Sequence, residues 1–294
     1  MIIQKPDLAN KDILDKYLQY NEYYGCEFSA ANNILWSDYY NGQFSIIEDM
    51  LVFCKTEGEL INKVTFPIGK GDKKKAFDSI VSYFEEHNRP FCMFLVEKEM
   101  FELIEKWYPG KYKIEYNRDD ADYLYDWDTL ANLKGKKLHG KRNHINRFLE
   151  NYPDYVYEEI DDSNYRECIG LSSIWEENND SPEDVSYEGR ALRFALENRE
   201  ALGLSGALIR VDGKVIAFTM GEPLKDDTFV VHFEKAYADI QGAYPMINRE
   251  FVRRNLKNYK YINREEDLGI PGLRHAKTSY QPVRLVEKGT VTCK

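Results

Sequence analysis

The chain has 294 residues, 43% of them aliphatic, aromatic or cysteine, enough to bury a large core and to build two domains. Its 50 acids against 40 lysines and arginines give a formal net charge of −10, which excludes a protein that coats nucleic acid or anionic lipid over its whole surface. Any polyanion must be met by a local basic patch.

The five cysteines (Cys26, Cys54, Cys92, Cys168, Cys293) are scattered and form no C-x-x-C pair, so neither a disulfide framework nor a zinc site is expected. The N-terminal stretch is too polar for a signal peptide, and the longest apolar runs, such as Phe91–Val96, have strand length. A soluble, cytoplasmic chain without a transmembrane segment is the expectation.

In chain order, Asp12–Tyr20 reads as an amphipathic helix with Ile13, Leu14, Tyr17 and Leu18 on one side. Asn41-Gly42 is a hairpin signal, with Gln43–Ile47 and Met50–Lys55 as paired strands. Val64–Ile68 makes another strand and ends in the loop Gly69-Lys70-Gly71-Asp72. Phe77, Ile80, Val81 and Phe84 mark a helix, Phe91–Val96 a wholly apolar strand, and Met100, Leu103, Ile104 and Trp107 a further helix. Tyr112–Tyr116 and Tyr123–Tyr125 read as strands.

Thr129–Tyr152 is a bridge helix with the apolar stripe Leu138, Ile145, Phe148 and Leu149. Val156–Ile160 is a strand and Asp161–Asn178 a helix. Ser181-Pro182-Glu183-Asp184 starts the next helix, with a capping hydroxyl, proline in the first turn and acid behind it. Leu208–Val211 and Lys214–Met220 pair around Asp212-Gly213. Phe229–Ala236 is a strand, a loop carrying Gly242 follows, Pro245 opens a helix, and Tyr259–Asn263 is the next strand. Both halves thus run hairpin, strand, glycine-bearing loop, helix, strand at an offset of roughly 165–170 residues, which indicates a duplicated domain. The expected domains are 1–125 and 126–294, the second including the bridge.

Several stretches resemble the C-terminal domain of phosphatidylglycerol lysyltransferases. These are Leu133-Lys134-Gly135-Lys136-Lys137-Leu138-His139 with Lys141 to Phe148, Val231-His232-Phe233-Glu234-Lys235-Ala236, Gly242-Ala243-Tyr244-Pro245 with Asn248, and Asn263-Arg264-Glu265-Glu266-Asp267-Leu268-Gly269 through Lys277 to Tyr280. They cover chiefly residues 120–285. The resemblance implies an α+β protein of two tandem GNAT-like domains, each a mixed sheet flanked by helices. It also implies relation to the Fem-type transferases, and so aminoacyl transfer from aminoacyl-tRNA to an amine or hydroxyl, such as a lipid headgroup or small molecule. Relatives that modify lipid carry a multi-spanning membrane region, which this sequence does not show.

Candidate site residues follow from these motifs. Lys137, Lys141, Arg142 and Asn143 belong to a basic bridge suited to tRNA phosphates or an anionic headgroup; a solvated helix face is the alternative. His232 and Glu234 share one face of a strand and are read as base and partner, or else as a buried polar pair.

Gly242 and Tyr244 lie in the loop where GNAT acetyltransferases cradle pyrophosphate. One glycine beside bulky Gln241 and Tyr244 disfavours coenzyme A, so no cofactor is expected, and no metal. Gly69–Asp72 with Lys73, Lys74 and Lys75 has the composition of a phosphate cradle, although lysines oppose a helix N-terminus. Arg264, Glu265, Glu266, Asp267 and Arg274 gather at a strand end, where acids suit an α-ammonium and arginines a phosphate or carboxylate. Lys277 is the candidate for oxyanion or 3′-phosphate stabilisation and Glu266 a second catalytic candidate, with Asn248 and Tyr280 lining the site.

An aminoacyl donor held between two lobes is the expected arrangement. An acyl-coenzyme A-dependent N-acyltransferase and a non-catalytic ligand-binding module are the competing readings.

Overall fold

A computed structural model describes residues 2–177 and 184–294. The chain divides into two compact units, one of residues 1–122, 266–269 and 285–294, the other of residues 123–265 and 270–284.

In the first unit, α1 (Lys11–Leu18) and α2 (Ala30–Tyr40) precede the meander β1 (Gly42–Ile47), β2 (Met50–Glu57) and β3 (Leu60–Val64). Then come α3 (Lys73–Glu86), β4 (Cys92–Glu97), α4 (Lys98–Trp107) and the long β5 (Tyr112–Asp126), which passes into the second unit after Asp122. The sheet order is β1-β2-β3-β4, then the C-terminal strand β11 (Arg284–Cys293), then β5. The core forms around Phe77, whose ring meets Phe91, Trp107, Tyr108 and Tyr112. Such ring pairs add to an apolar burial that is already large for each aromatic side chain.

The second unit contains α5 (Trp127–Asn132), α6 (His139–Asn151), β6 (Val156–Glu159), α7 (Tyr165–Glu177), α8 (Asp184–Glu197) and the short α9 (Arg199–Leu202). These lead into the meander β7 (Ser205–Val211), β8 (Lys214–Lys225) and β9 (Thr228–Ala236), and then α10 (Ala243–Asn255), β10 (Tyr261–Asn263) and α11 (Pro271–Thr278). Its sheet order is β5-β10-β9-β8-β7-β6. Phe218, Phe229, Phe233, Phe251 and Ile262 fill the core.

The α+β class and the tandem repeat, each half a mixed sheet with helices, are both present. Strands β1 to β3 form an antiparallel meander, and after α3 the strand β4 lies parallel to β3 with β11 antiparallel beside it. Strands β7 to β9 repeat the meander, and after α10 the strand β10 lies parallel to β9 with β5 antiparallel beside it. Corresponding elements are offset by roughly 165–170 residues. The first unit is closed by a strand from the chain's C-terminus, the second by the strand that joins the two.

Local expectations fare unevenly. Asp212-Gly213 is the β7–β8 turn, with both residues at positive φ. Asn41-Gly42 is not a hairpin turn: Asn41, at φ 49°, caps the C-terminus of α2, and Glu48-Asp49 makes the β1–β2 turn. Both roles ask for a left-handed residue, so the dipeptide alone does not separate them. The bridge is not one helix, because Leu133 (φ 49°) ends α5 and Gly135 (φ 91°) turns the chain before α6. Tyr112–Tyr116 and Tyr123–Tyr125 belong to the single strand β5. The helix start at Ser181–Glu183 lies outside the described residues. No helix among the described residues is long and apolar enough to cross a membrane.

Candidate functional site in the second unit

Strand β9 delivers two polar side chains to one face, since His232 and Glu234 are two residues apart. They do not pair with each other. The Glu234 carboxylate accepts from Arg264 Nη2 at 2.8 Å and from Asn248 Nδ2 at 2.9 Å. Asn248 projects from α10, a helix that otherwise buries Met246, Ile247, Phe251 and Val252. Arg264 follows β10 directly; its guanidinium lies 4.8 Å from the Tyr280 ring centre and 5.7 Å from that of Tyr125. The Tyr280 ring is also met by Lys141 Nζ at 4.1 Å.

Two atoms of this cluster are buried without a hydrogen-bond partner: Arg264 Nη1, a donor, and Asn248 Oδ1, an acceptor. Both side chains are fixed by the one Glu234 carboxylate, so the spare donor and the spare acceptor belong to neighbours that share it. Native proteins seldom leave such groups unsatisfied away from a binding site. Burial, then the neighbouring Arg264 charge, holds Lys141 below the usual ammonium range. Burial, only partly offset by Arg264, pushes the Tyr280 and Tyr125 phenols up.

His232 has a different environment. Its Nδ1 meets Glu265 at 2.8 Å and its Nε2 meets Glu222 at 3.0 Å, with 1% of the side chain exposed. Burial alone would lower its pKa; hydrogen bonds and charge from Glu222 and Glu265 outweigh burial and raise it to about 10. The ring is therefore an imidazolium at neutral pH, with no lone pair free to take a proton from an acceptor. Its partners are thus Glu222 and Glu265, which corrects the expected pairing of His232 with Glu234.

What the imidazolium does is hold Glu265, a non-glycine residue at φ 56°, a conformation that costs on the order of 1 kcal/mol. The Glu265 amide donates to Asn263 Oδ1 at 2.6 Å and its carbonyl accepts from Tyr123 N at 3.1 Å. Lys277 Nζ donates to the Arg264 carbonyl at 2.6 Å, and the Tyr125 hydroxyl donates to the Lys277 carbonyl at 2.6 Å. The Arg264–Glu265 turn is thus pinned from β8, β9, β5 and α11.

The remaining candidates are placed as follows. Arg142 donates through Nη1 to the carbonyls of Leu133 and Gly135, which fixes the turn between α5 and α6. Lys137 is exposed, and Asn143, also exposed, meets His139 at 3.1 Å. Tyr244 is half-buried in the first turn of α10, and Arg274 half-buried in α11.

Gly242, at φ 88°, lies against α6: a Cβ there would come within 2.3 Å of the His144 carbonyl oxygen. The loop at the head of α10 is therefore shaped by packing on α6. Glu266 and Asp267 belong to the first unit, where Asp267 accepts from Arg118 at 3.2 Å and from the Gly269 amide at 3.0 Å. In that unit the Gly69–Asp72 loop is no cradle: Asp72 accepts from the amides of Lys74 and Lys75, and Lys73, Lys74 and Lys75 pair with Glu22, Asp78 and Glu48.

Sequence reasoning missed Glu222 and Tyr125. Glu222 left a faint signal, as a lone carboxylate in the otherwise apolar run of β8. Tyr125 left none, because tyrosine is a common strand residue.

Comparison with known proteins places the chain in a family. A conserved protein of unknown function from Bacteroides thetaiotaomicron is 42% identical, with full coverage of both chains and a TM-score of 0.92. L-PGS from Bacillus licheniformis is 15% identical over 99% of this chain and 93% of its own, with a TM-score of 0.66. FemX is 10% identical over 99% and 96%, with a TM-score of 0.63; at such identities the likeness is one of fold. The family model described as phosphatidylglycerol lysyltransferase, C-terminal, matches residues 19–291. With nearly its whole length matched, the chain belongs to the phosphatidylglycerol lysyltransferase C-terminal family.

Proposed function

We propose that the second unit is an aminoacyltransferase site that takes its aminoacyl group from aminoacyl-tRNA and passes it to an amine or hydroxyl acceptor, such as a lipid headgroup or a small molecule. The observation that carries this reading is the buried pair Arg264 Nη1 and Asn248 Oδ1, a spare donor and a spare acceptor on the two side chains that Glu234 holds. An aminoacyl ester offers the complement: a carbonyl oxygen that gains negative charge during transfer, and an α-amino group that donates hydrogen bonds.

Arg264 receives the oxygen, and a donor preorganised out of water is most effective against a developing oxyanion. Asn248 accepts from the amino group. Glu234 orients both, and Lys141 adds a second positive charge beside Tyr280. His232 and Lys277 act as positioning residues, through Glu265 and the Arg264 carbonyl. The acceptor's own nitrogen or oxygen attacks the acyl carbon, the ester C–O bond breaks, and the attacking atom's proton ends on the departing tRNA hydroxyl. Lys134, Lys136, Lys137 and Arg147, exposed around the start and along α6, meet the tRNA phosphates.

The test uses purified protein and a panel of labelled aminoacyl-tRNAs at low salt, with retention measured first and release of label to anionic-lipid vesicles or amines second. Retention of none of the panel would remove the donor from the proposal. Retention without transfer to any acceptor would favour a binding module.

A further inference from the structure

The first unit buries an ion cluster that aminoacyl transfer leaves idle. Lys288, on β11, is 2% exposed, and its Nζ donates to Glu27 at 2.6 Å and Asp122 at 2.7 Å. The Cys26 sulfur lies 3.6 Å from the same nitrogen, and 3.7–3.8 Å from carboxylate oxygens of Glu27, Asp122 and Glu266.

Two further oxygens, Glu27 Oε1 and Glu97 Oε2, are buried without a partner, on side chains 7% and 1% exposed. Both carboxylates adjoin one residue, Gly25. Its amide donates to the other Glu97 oxygen at 2.8 Å, and Glu27 Oε1 lies 2.5 Å from where a Cβ would stand. A thiol, an amine and a carboxylate with a spare oxygen, that of Glu27, therefore meet in a space closed to water, with Glu97 on the other side of Gly25. A cysteine in an apolar core has no such company, and its partner here is nucleophilic once deprotonated.

We infer that Cys26 and Lys288 form a nitrogen–oxygen–sulfur crosslink, with dioxygen as the oxidant. The ammonium first gives its extra proton to one of the two carboxylates it is hydrogen-bonded to, Glu27 or Asp122. The thiol then loses its hydrogen and the amine loses one, and one oxygen atom is placed between sulfur and nitrogen. The other oxygen atom leaves with the two hydrogens as water. Dioxygen accepts four electrons, two from sulfur and two from nitrogen, so atoms and charge balance. The crosslink differs from the usual ladder of sulfenic, sulfinic and sulfonic acids because the amine captures sulfur at its first oxidised level. It also removes the positive charge that faces Asp122 and Glu27, next to Glu266.

The test compares full-length protein held under dioxygen with protein kept anaerobic and reduced, by intact-mass and peptide mass spectrometry. The expected product gains one oxygen and loses two hydrogens, resides on a joined pair of peptides holding Cys26 and Lys288, and reverts with dithiothreitol. Cys26→Ser and Lys288→Arg should both abolish it; Cys26→Ser, the milder change, suffices if the other fails to fold. Oxygen added to Cys26 alone, loss of two hydrogens with no oxygen gained, or an unchanged mass under dioxygen would each overturn the inference.

Discussion

Replacing His232 by glutamine tests whether a buried imidazolium clamps Glu222 and Glu265. The imidazolium lies between Glu222 and Glu265, whose side chains are 8% and 18% exposed. Removing it takes away the positive charge that both carboxylates face, and breaking a buried pair from one side costs about 3–5 kcal/mol. At roughly 2–4 °C per kcal/mol for a unit of this size, the midpoint should fall by roughly 10 °C.

The pH dependence gives an independent check. The pKa rises from 6.5 to about 10 on folding, so the folded state holds the proton more tightly. The resulting stability is complete below pH 6.5 and is lost as pH climbs toward 10, at about 1.4 kcal/mol per pH unit and about 5 kcal/mol in all. Thermal unfolding of wild type and His232→Gln, measured in parallel from pH 6 to 10, should show the wild type losing this increment as pH rises and the variant showing no such loss. A wild-type profile flat between pH 7 and 10, or the same slope in both proteins, would refute the charged-clamp account.

Other outcomes follow from the same geometry. Arg264→Lys keeps the charge but loses the spare Nη1 donor, and should weaken aminoacyl-tRNA retention by roughly 10–100-fold, the worth of a charged hydrogen bond; unchanged retention would discard Arg264 as the donor contact. Burial, reinforced by Glu27, pushes the Glu97 carboxyl up to about 8. Its contribution is therefore present at low pH and lost as pH rises through 8, and Glu97→Gln should flatten that loss in a urea-denaturation series. Gly242→Ala forces a Cβ toward the His144 carbonyl at a positive φ and should cost about 2–4 kcal/mol, read from the shift in denaturation midpoint. Asp72→Ala removes the cap of α3 and should cost about 1 kcal/mol, with no effect on anion binding.

Much of the architecture was legible because it rests on local periodicity. The spacing of Phe77, Ile80 and Phe84 demands a helix, Asp212-Gly213 demands a turn, and the offset between halves gives the repeat. The motif residues were legible as a set, and Glu234, Asn248, Arg264, Lys141, Lys277 and Tyr280 do gather in one unit. Their pairings were not. Alternation along β9 puts His232 beside Glu234 in any strand, but it cannot say which carboxylate arrives from β8 or from the segment after β10. Arg142 reads as a phosphate ligand in any count of charge, yet it closes a turn because Leu133 and Gly135 leave carbonyls within its reach.

Sequence by itself indicated most helices and strands, though not α2 or α11 nor the span of β3 (Leu60–Val64 rather than Val64–Ile68), together with the duplication and the family, since these depend on neighbours a few residues away or on pattern along the chain. Tertiary structure alone decided which charges meet. It charged His232, left Arg264 and Asn248 each with an idle atom, and brought Lys288 to Cys26 across 262 positions of sequence. The energy of a buried charge depends on distance and on exclusion of water, and neither is written in residue order.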